Sequence, residues 1–208
     1  MKHAILMADV IGSSKRKSQK LITQFQNLVA LTNDDFKKNL HSPLTITLGD
    51  EFQGIAITVT SAIKIIIYIE EKIIELGYDF KLRYILNYGD IETPINKKIA
   101  YNMLGKGLTE AREKITLLKN TENRFCIDIK SKLFNDRLNN AFIVYQTFVD
   151  DWKIIDFKMI ILFIQNQHYK EVANAIGINE SSAWRREKSL KIKQYFATKN
   201  LIFSLTKK

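Results

Sequence analysis

Two strand-like runs, "LTITL" and "FQGIAITV", are joined at Gly49-Asp50 and set between two helix-like segments, and this arrangement constrains the chain most. Upstream, "QKLITQFQNLVALTND" carries Leu21, Ile22, Phe25, Leu28 and Val29 at helical spacing. Downstream, "SAIKIIIYIEEKIIEL" reads as a long helix with Ser61 as its expected cap. "HAILMADV" precedes this block and "FKLRYILNYG" follows it, so the order is β-α-β-β-α-β. The helix "GLTEAREKITLLK" and the strand "RFCIDI" come after. A split βαβ plan satisfies that order: the predicted class is α+β, a ferredoxin-like antiparallel sheet with helices on one face. It takes up roughly the first 130 residues, and a mixed segment leads into an all-helical tail. The boundary is drawn between a domain of residues 1–148 and a tail of residues 149–208.

With 208 residues, 46% of them hydrophobic, the chain is long enough to bury a substantial core. The single cysteine, Cys126, excludes an intrachain disulfide and points to a reducing compartment. His3, His41 and His168 are too scattered for a zinc site. The most apolar stretches are short or broken by charge, so the expectation is a cytoplasmic protein with no membrane insertion. The net charge is +10, and from Arg185 onward eight Lys/Arg oppose one acid, Glu187, so 8 − 1 = +7 of it lies in the last stretch. A polyanionic partner fits that asymmetry.

In a split βαβ sheet the first strand lies beside the hairpin, which brings Asp9, at the end of strand one, toward Asp50 and Glu51. Adjacent carboxylates repel unless a cation separates them. Two or three hard oxygen ligands suit Mg²⁺ or Mn²⁺, which also takes phosphate oxygens. Gly12, Ser13 and Ser14, leading into a helix, offer free N–H groups to an anion, and Lys15, Arg16 and Lys17 add charge. The alternative is an ordinary solvated turn with solvated lysines. Thr45 and Thr47 on one side of strand two, and Arg83 and Asn87 on one face of the later strand, would line the pocket or a solvated face, and Glu92, at a strand end, is a further acidic candidate.

"ADVIGSS" followed by "LGDEFQGI" resembles the metal-binding core of class III nucleotidyl cyclases and related polymerase-like palm domains. "LRYILNYGDIET" and "MLGKGLTEAREKI" continue the likeness. Over nearly the whole chain, tail included, the sequence is similar to the SatD family of small bacterial cytoplasmic proteins. The cyclase resemblance implies metal ligation by Asp9 and Asp50, with the backbone of Ile11 as a further candidate; in the enzyme reading Glu51 would assist. It also implies a phosphate loop of Gly12, Ser13 and Ser14, next to the Ile11 backbone; in the enzyme reading Lys15 or Arg16 would grip the triphosphate. The chain departs from the pattern in three places. The purine-selecting lysine of cyclases falls on Ile46, and their transition-state asparagine and arginine fall on Thr109 and Glu113. Arg112 lies one position from the expected arginine.

The tail carries a second pattern, "YKEVANAIGINESSAWRREKSLKIKQY". Small Ala173 and Gly177, four apart, with apolar Val172, Ile176, Ile178 and Ala183, fit a helix-turn-helix preceded by a supporting helix "DFKMIILFIQN". Asn179 would cap the second helix, and Ser181, Ser182, Trp184, Arg185, Arg186 and Lys188 would face DNA. A packed helical hairpin without nucleic acid is the alternative.

The sequence therefore supports a regulatory DNA-binding protein, expected as a homodimer, whose cyclase-like domain senses a nucleotide with Mg²⁺ or Mn²⁺. Two alternatives stand beside it. One is a metal-dependent nucleotidyl cyclase or nucleotidyltransferase making a nucleotide signal, and the other is a catalytically silent interaction module.

Overall fold

The structure is a computed structural model that describes residues 1–13, 19–129, 131–165 and 168–206. Its elements are β1 (Lys2–Val10), α1 (Gln19–Asp35), β2 (Leu40–Ile46), β3 (Glu51–Ala56), α2 (Val59–Glu75), β4 (Leu82–Asp90), α3 (Lys106–Leu118) and β5 (Phe125–Asp128). Five helices follow: α4 (Lys132–Asp151), α5 (Phe157–Ile164), α6 (Tyr169–Ile176), α7 (Glu180–Ser189) and α8 (Ile192–Thr206). Helix α2 is capped by Thr58, whose side chain accepts from the backbone N–H of Ser61, so Ser61 is not itself the cap.

The strands form one five-stranded sheet in the order β2-β3-β1-β4-β5. The first four pair antiparallel throughout, as the β-α-β-β-α-β order requires. β5 departs from the fully antiparallel expectation by running parallel to β4. Parallel neighbours need a crossover connection, and here it contains α3.

That crossover also corrects the expectation of helices on one face. Alternate residues of a strand point to opposite faces. Ala4, Leu6, Ala8 and Val10 of β1, with Leu82, Tyr84 and Leu86 of β4, join a large apolar cluster containing residues of α1, α2 and α4. Ile5, Met7, Ile55 and Ile85 join a second, smaller one with Leu108, Ala111, Ile115 and Leu118 of α3. The sheet is covered on both sides. Close approach of backbones holds α3 down at its start. A Cβ on Gly107 would lie 2.5 Å from the backbone of Gly89, and Asn87 donates to the carbonyl of Gly107 at 2.9 Å.

The larger cluster continues from β1 to Ile202 on α8 without a break in the tail. α4 runs through position 148/149, where the boundary was expected. Arg124, 4% exposed, ties the strand layer to α2 and α4. It meets Glu70 at 2.7 Å, Asp150 at 2.9 Å and the carbonyl of Leu82 at 2.8 Å. Burial opposes its charge, but the carboxylates of Glu70 and Asp150 more than compensate and raise its pKa above the usual value. Trp152 donates its indole N–H to the carbonyl of Leu190 at 2.9 Å, fastening the α7–α8 corner. Among the described residues no helix is long and apolar enough to cross a membrane.

Candidate functional site

Pairing register places three charged residues in a row across the face that α3 covers. Asp9, next to last in β1, stands opposite Glu51 on β3 and opposite Arg83 on β4. Each belongs to the alternating set that includes Ile5, Met7, Gln53, Ile55 and Ile85, so all three face the α3 side. Above them α3 supplies Arg112, and Lys119 follows at its C-cap. Seven residues separate these two cations, nearly two helical turns, so they share a face.

Arg112 pairs closely with Glu51, while Lys119 stands 3.4 Å from both Glu51 and Asp9. Arg83 reaches Asp9 at 3.5 Å. Three cations therefore surround two carboxylates, one from each of β1 and β3. Asp9 is 3% exposed, and its Oδ1 has no hydrogen-bond partner among the described residues. Burial pushes its pKa up, Lys119 and Arg83 pull it down, and the neighbouring Glu51 adds to the rise.

The hairpin turn sits against this centre. Val10 N–H donates to the carbonyl of Asp50 at 2.9 Å, and Thr47 N–H donates to that of Glu51 at 2.9 Å. Gly49, with φ +84°, supplies the left-handed backbone the turn needs. The Asp50 side chain, half-buried, forms no ion pair among the described residues. Among those residues no group of three or more His, Cys, Asp or Glu is placed to hold a metal.

Of the expected phosphate loop, the N–H of Ile11 is committed to the carbonyl of Lys81 at 2.9 Å, Gly12 adopts φ +71°, and Ser13 is half-buried. Ser14, Lys15 and Arg16 lie outside the described residues. Asn87 is buried and accepts from Lys114 at 2.6 Å, so it supports α3. Thr45 accepts from the N–H of Ala100 at 2.7 Å. Lys119 escaped the sequence reading, although its seven-residue spacing from Arg112 was the available signal.

Beside the centre the α3 face opens into a cleft of about 440 Å³ lined by Met7, Gln53, Tyr101, Met103, Leu108, Thr109 and Arg112. Arg112 belongs to both the cleft and the charged cluster.

In the tail, α6 and α7 are joined by a short turn in which Gly177 adopts φ +80°. Val172, Ala173 and Ala183 are buried between helices. Asn179 caps α7, accepting from Ser182 N–H at 2.8 Å and from the Ser181 hydroxyl at 2.8 Å. Arg186 pairs with Asp156, which turns it inward. Trp184, Arg185 and Lys188 are exposed, with the Lys188 ammonium 3.6 Å from the Trp184 ring centroid.

An α+β fold with a charged centre on one sheet face and a helical tail packed into the same core defines the class. The chain belongs to the SatD family, whose pattern matches residues 3–206. No curated protein matches it. Among solved structures it is similar to a bacterial light-regulated adenylyl cyclase, with 12% identity and a TM-score of 0.45, over 61% of this chain and 74% of that one. The guanylyl cyclase Cya2 gives 12% identity and a TM-score of 0.38 over the same shares, 61% and 74%. The guanylate cyclase domain of RhGC from Catenaria anguillulae, solved with GTP, gives 17% identity and a TM-score of 0.34 over 53% of this chain and 70% of that one.

Proposed function

We propose that this SatD-family protein binds a nucleoside triphosphate, together with Mg²⁺ or Mn²⁺, at the end of β1, on a split βαβ sheet of the ferredoxin-like kind extended by β5. One observation carries the reading: two buried carboxylates and three cations from β1, β3, β4 and α3 meet at one point, and Asp9 Oδ1 has no partner among the described residues. A buried polar atom without a donor is costly, and a hard cation satisfies it.

Hard carboxylate oxygens are the donor type such an ion takes. Asp9 and Asp50 would hold it, with Glu51 beside them, and water and phosphate oxygens would complete the shell. Bound there, the ion supplies neutralisation of phosphate charge. Arg112, Lys119 and Arg83 offer further positive charge to the polyphosphate. A phosphate that draws Arg112 and Lys119 toward itself frees Glu51 from its present partners. Thr109 and Glu113 stand where cyclases carry the asparagine and arginine of the transition state. Triphosphate binding is thus the supported activity, and conversion to a cyclic nucleotide is the alternative that product analysis decides.

The test is calorimetric titration of nucleoside triphosphates with and without Mn²⁺ on the wild type, Asp9→Asn and Asp50→Asn. Metal-dependent binding that both variants lose is the expected result. Binding that is metal-independent, or unchanged in both variants, sinks the reading.

A second reading, DNA recognition by α7 in a homodimer under nucleotide control, rests on the Gly177 turn and the exposed Trp184, Arg185 and Lys188. Its test is salt-dependent anisotropy with mixed-sequence duplex DNA, comparing the wild type with Arg185→Glu. Absence of a salt-sensitive difference rules it out.

A further inference from the structure

Glu51 presents its two carboxylate oxygens to two different cations, one on α3 and one at the C-cap of that helix. Oε2 pairs closely with Arg112, and Oε1 stands 3.4 Å from the Lys119 ammonium. Phosphate oxygens make the same kind of charge-assisted pairs with Arg and Lys. The three side chains differ in access. Arg112 and Lys119 are each 41% exposed, whereas the Glu51 side chain is 10% exposed. An anion arriving from solvent therefore meets two cations already held from beneath. We infer that Glu51 is a built-in competitor of the anionic ligand: it holds Arg112 and Lys119 while no polyphosphate is bound and gives them up when one binds. The inference rests on the polyphosphate reading above and adds how that site is regulated.

Stability does not call for a carboxylate at this position. Glu51 lies directly opposite Asp9, and like charges at opposed positions weaken a sheet. A glutamine would keep the shape without the repulsion. Arg112 and Lys119 both reach water, so neither needs Glu51 for its solvation. What the Glu51 charge adds is competition for them.

The parts of the cluster move unequally. Glu51 is fixed at the start of β3, where its carbonyl accepts from Thr47 N–H at 2.9 Å. Arg112 and Lys119 end long stems, so they are the groups that turn toward a ligand. Their departure leaves Asp9 and Glu51 face to face, with Arg83 alone at 3.5 Å from Asp9. The uncompensated charge opposes anion binding until a cation offsets it. Glu51 thereby makes polyphosphate binding depend on metal.

The experiment is calorimetric titration of inorganic triphosphate into the full-length protein with and without Mn²⁺. It compares the wild type with Glu51→Gln and with Glu113→Gln, an exposed acid beside Arg112 whose loss changes the net charge equally. Without Mn²⁺, Glu51→Gln should bind about tenfold tighter than the wild type, within the usual range of coupling between sites. Glu113→Gln should gain about twofold or less, the scale of an exposed charge. The affinity that Mn²⁺ adds should shrink in Glu51→Gln by the same factor. In an Arg112→Met background most of the Glu51→Gln gain should vanish, which a general change of net charge would not cause. Metal-free binding by Glu51→Gln no tighter than by Glu113→Gln overturns the competitor, and Mn²⁺-dependent binding by the wild type leaves the polyphosphate reading standing in that case. If the wild type fails to bind even with Mn²⁺, the metal-dependent reading falls. Metal-free binding by Glu51→Gln then still upholds the competitor, and its absence overturns it.

Discussion

Asp9 and Glu51 stand directly opposite each other on β1 and β3, both buried, and the charge that compensates them comes from β4 and α3. Two carboxylates at opposed positions repel, and like charges there destabilise a sheet. Their placement makes sense only with cations above them. Arg112, Lys119 and Arg83 supply these.

Removing Arg112 should expose that dependence. Arg112→Met leaves Glu51 beside Asp9 with Lys119 alone, and a loss of about 1–3 kcal/mol is expected in urea unfolding. Adding Glu51→Gln should recover most of it, because the unpaired charge goes with the carboxylate. A double variant as unstable as the single one would contradict this account.

Gly107→Ala gives a prediction opposite to helix propensity, which favours alanine inside a helix. The new Cβ would meet the Gly89 backbone at 2.5 Å, with no side chain able to move aside. A destabilisation of roughly 1–3 kcal/mol or more is expected from such overpacking, together with weaker nucleotide binding as α3 lifts. A variant with wild-type melting temperature would show that α3 is not held there.

Arg124→Met should be the most damaging of these substitutions. It strands Glu70, 6% exposed, in the core and unties Asp150. Breaking one side of a buried pair costs about 3–5 kcal/mol. Chemical denaturation of Arg124→Met and of Arg124→Met with Glu70→Gln checks it, the second recovering part of the loss.

His3 sets a pH dependence at the opposite end of the sheet. Its ring lies 6.0 Å from that of His41, and burial, His41 and the N-terminus lower its pKa, with Asp90 opposing. A lowered folded-state pKa means that the unfolded chain binds the proton more readily. The His3 contribution is therefore fully present above its ordinary value of 6.5 and is lost as pH falls through the lowered one. His3→Gln should flatten the fall in urea midpoint below about pH 6.5. An identical pH profile in the variant refutes the assignment.

Much of this was legible along the chain. The spacing of Phe25, Leu28 and Val29 marked α1, Gly49 marked the turn, and Asn179 marked the start of α7, because each depends on neighbours a few residues away. The α+β class and the alternation of the first elements follow from the same short-range periodicity. The two-sided sheet was also present as a signal: "AILMA" in β1 is apolar at every position, as a strand covered on both faces must be. The meeting of Asp9 with Glu51 followed from strand adjacency alone.

Other features depended on direction and register, which local sequence does not carry. A strand such as "FCID" reads alike in either orientation, so only the packed crossover through α3 could make β5 parallel and place Arg112 and Lys119 over the carboxylates. Arg186 looked free for a partner until the fold brought Asp156 to it. Local residue order by itself determined the helices, the turns and the paired acids. The tertiary structure decided which cations neutralise those acids and which face holds the cleft, because these depend on contacts between residues tens of positions apart.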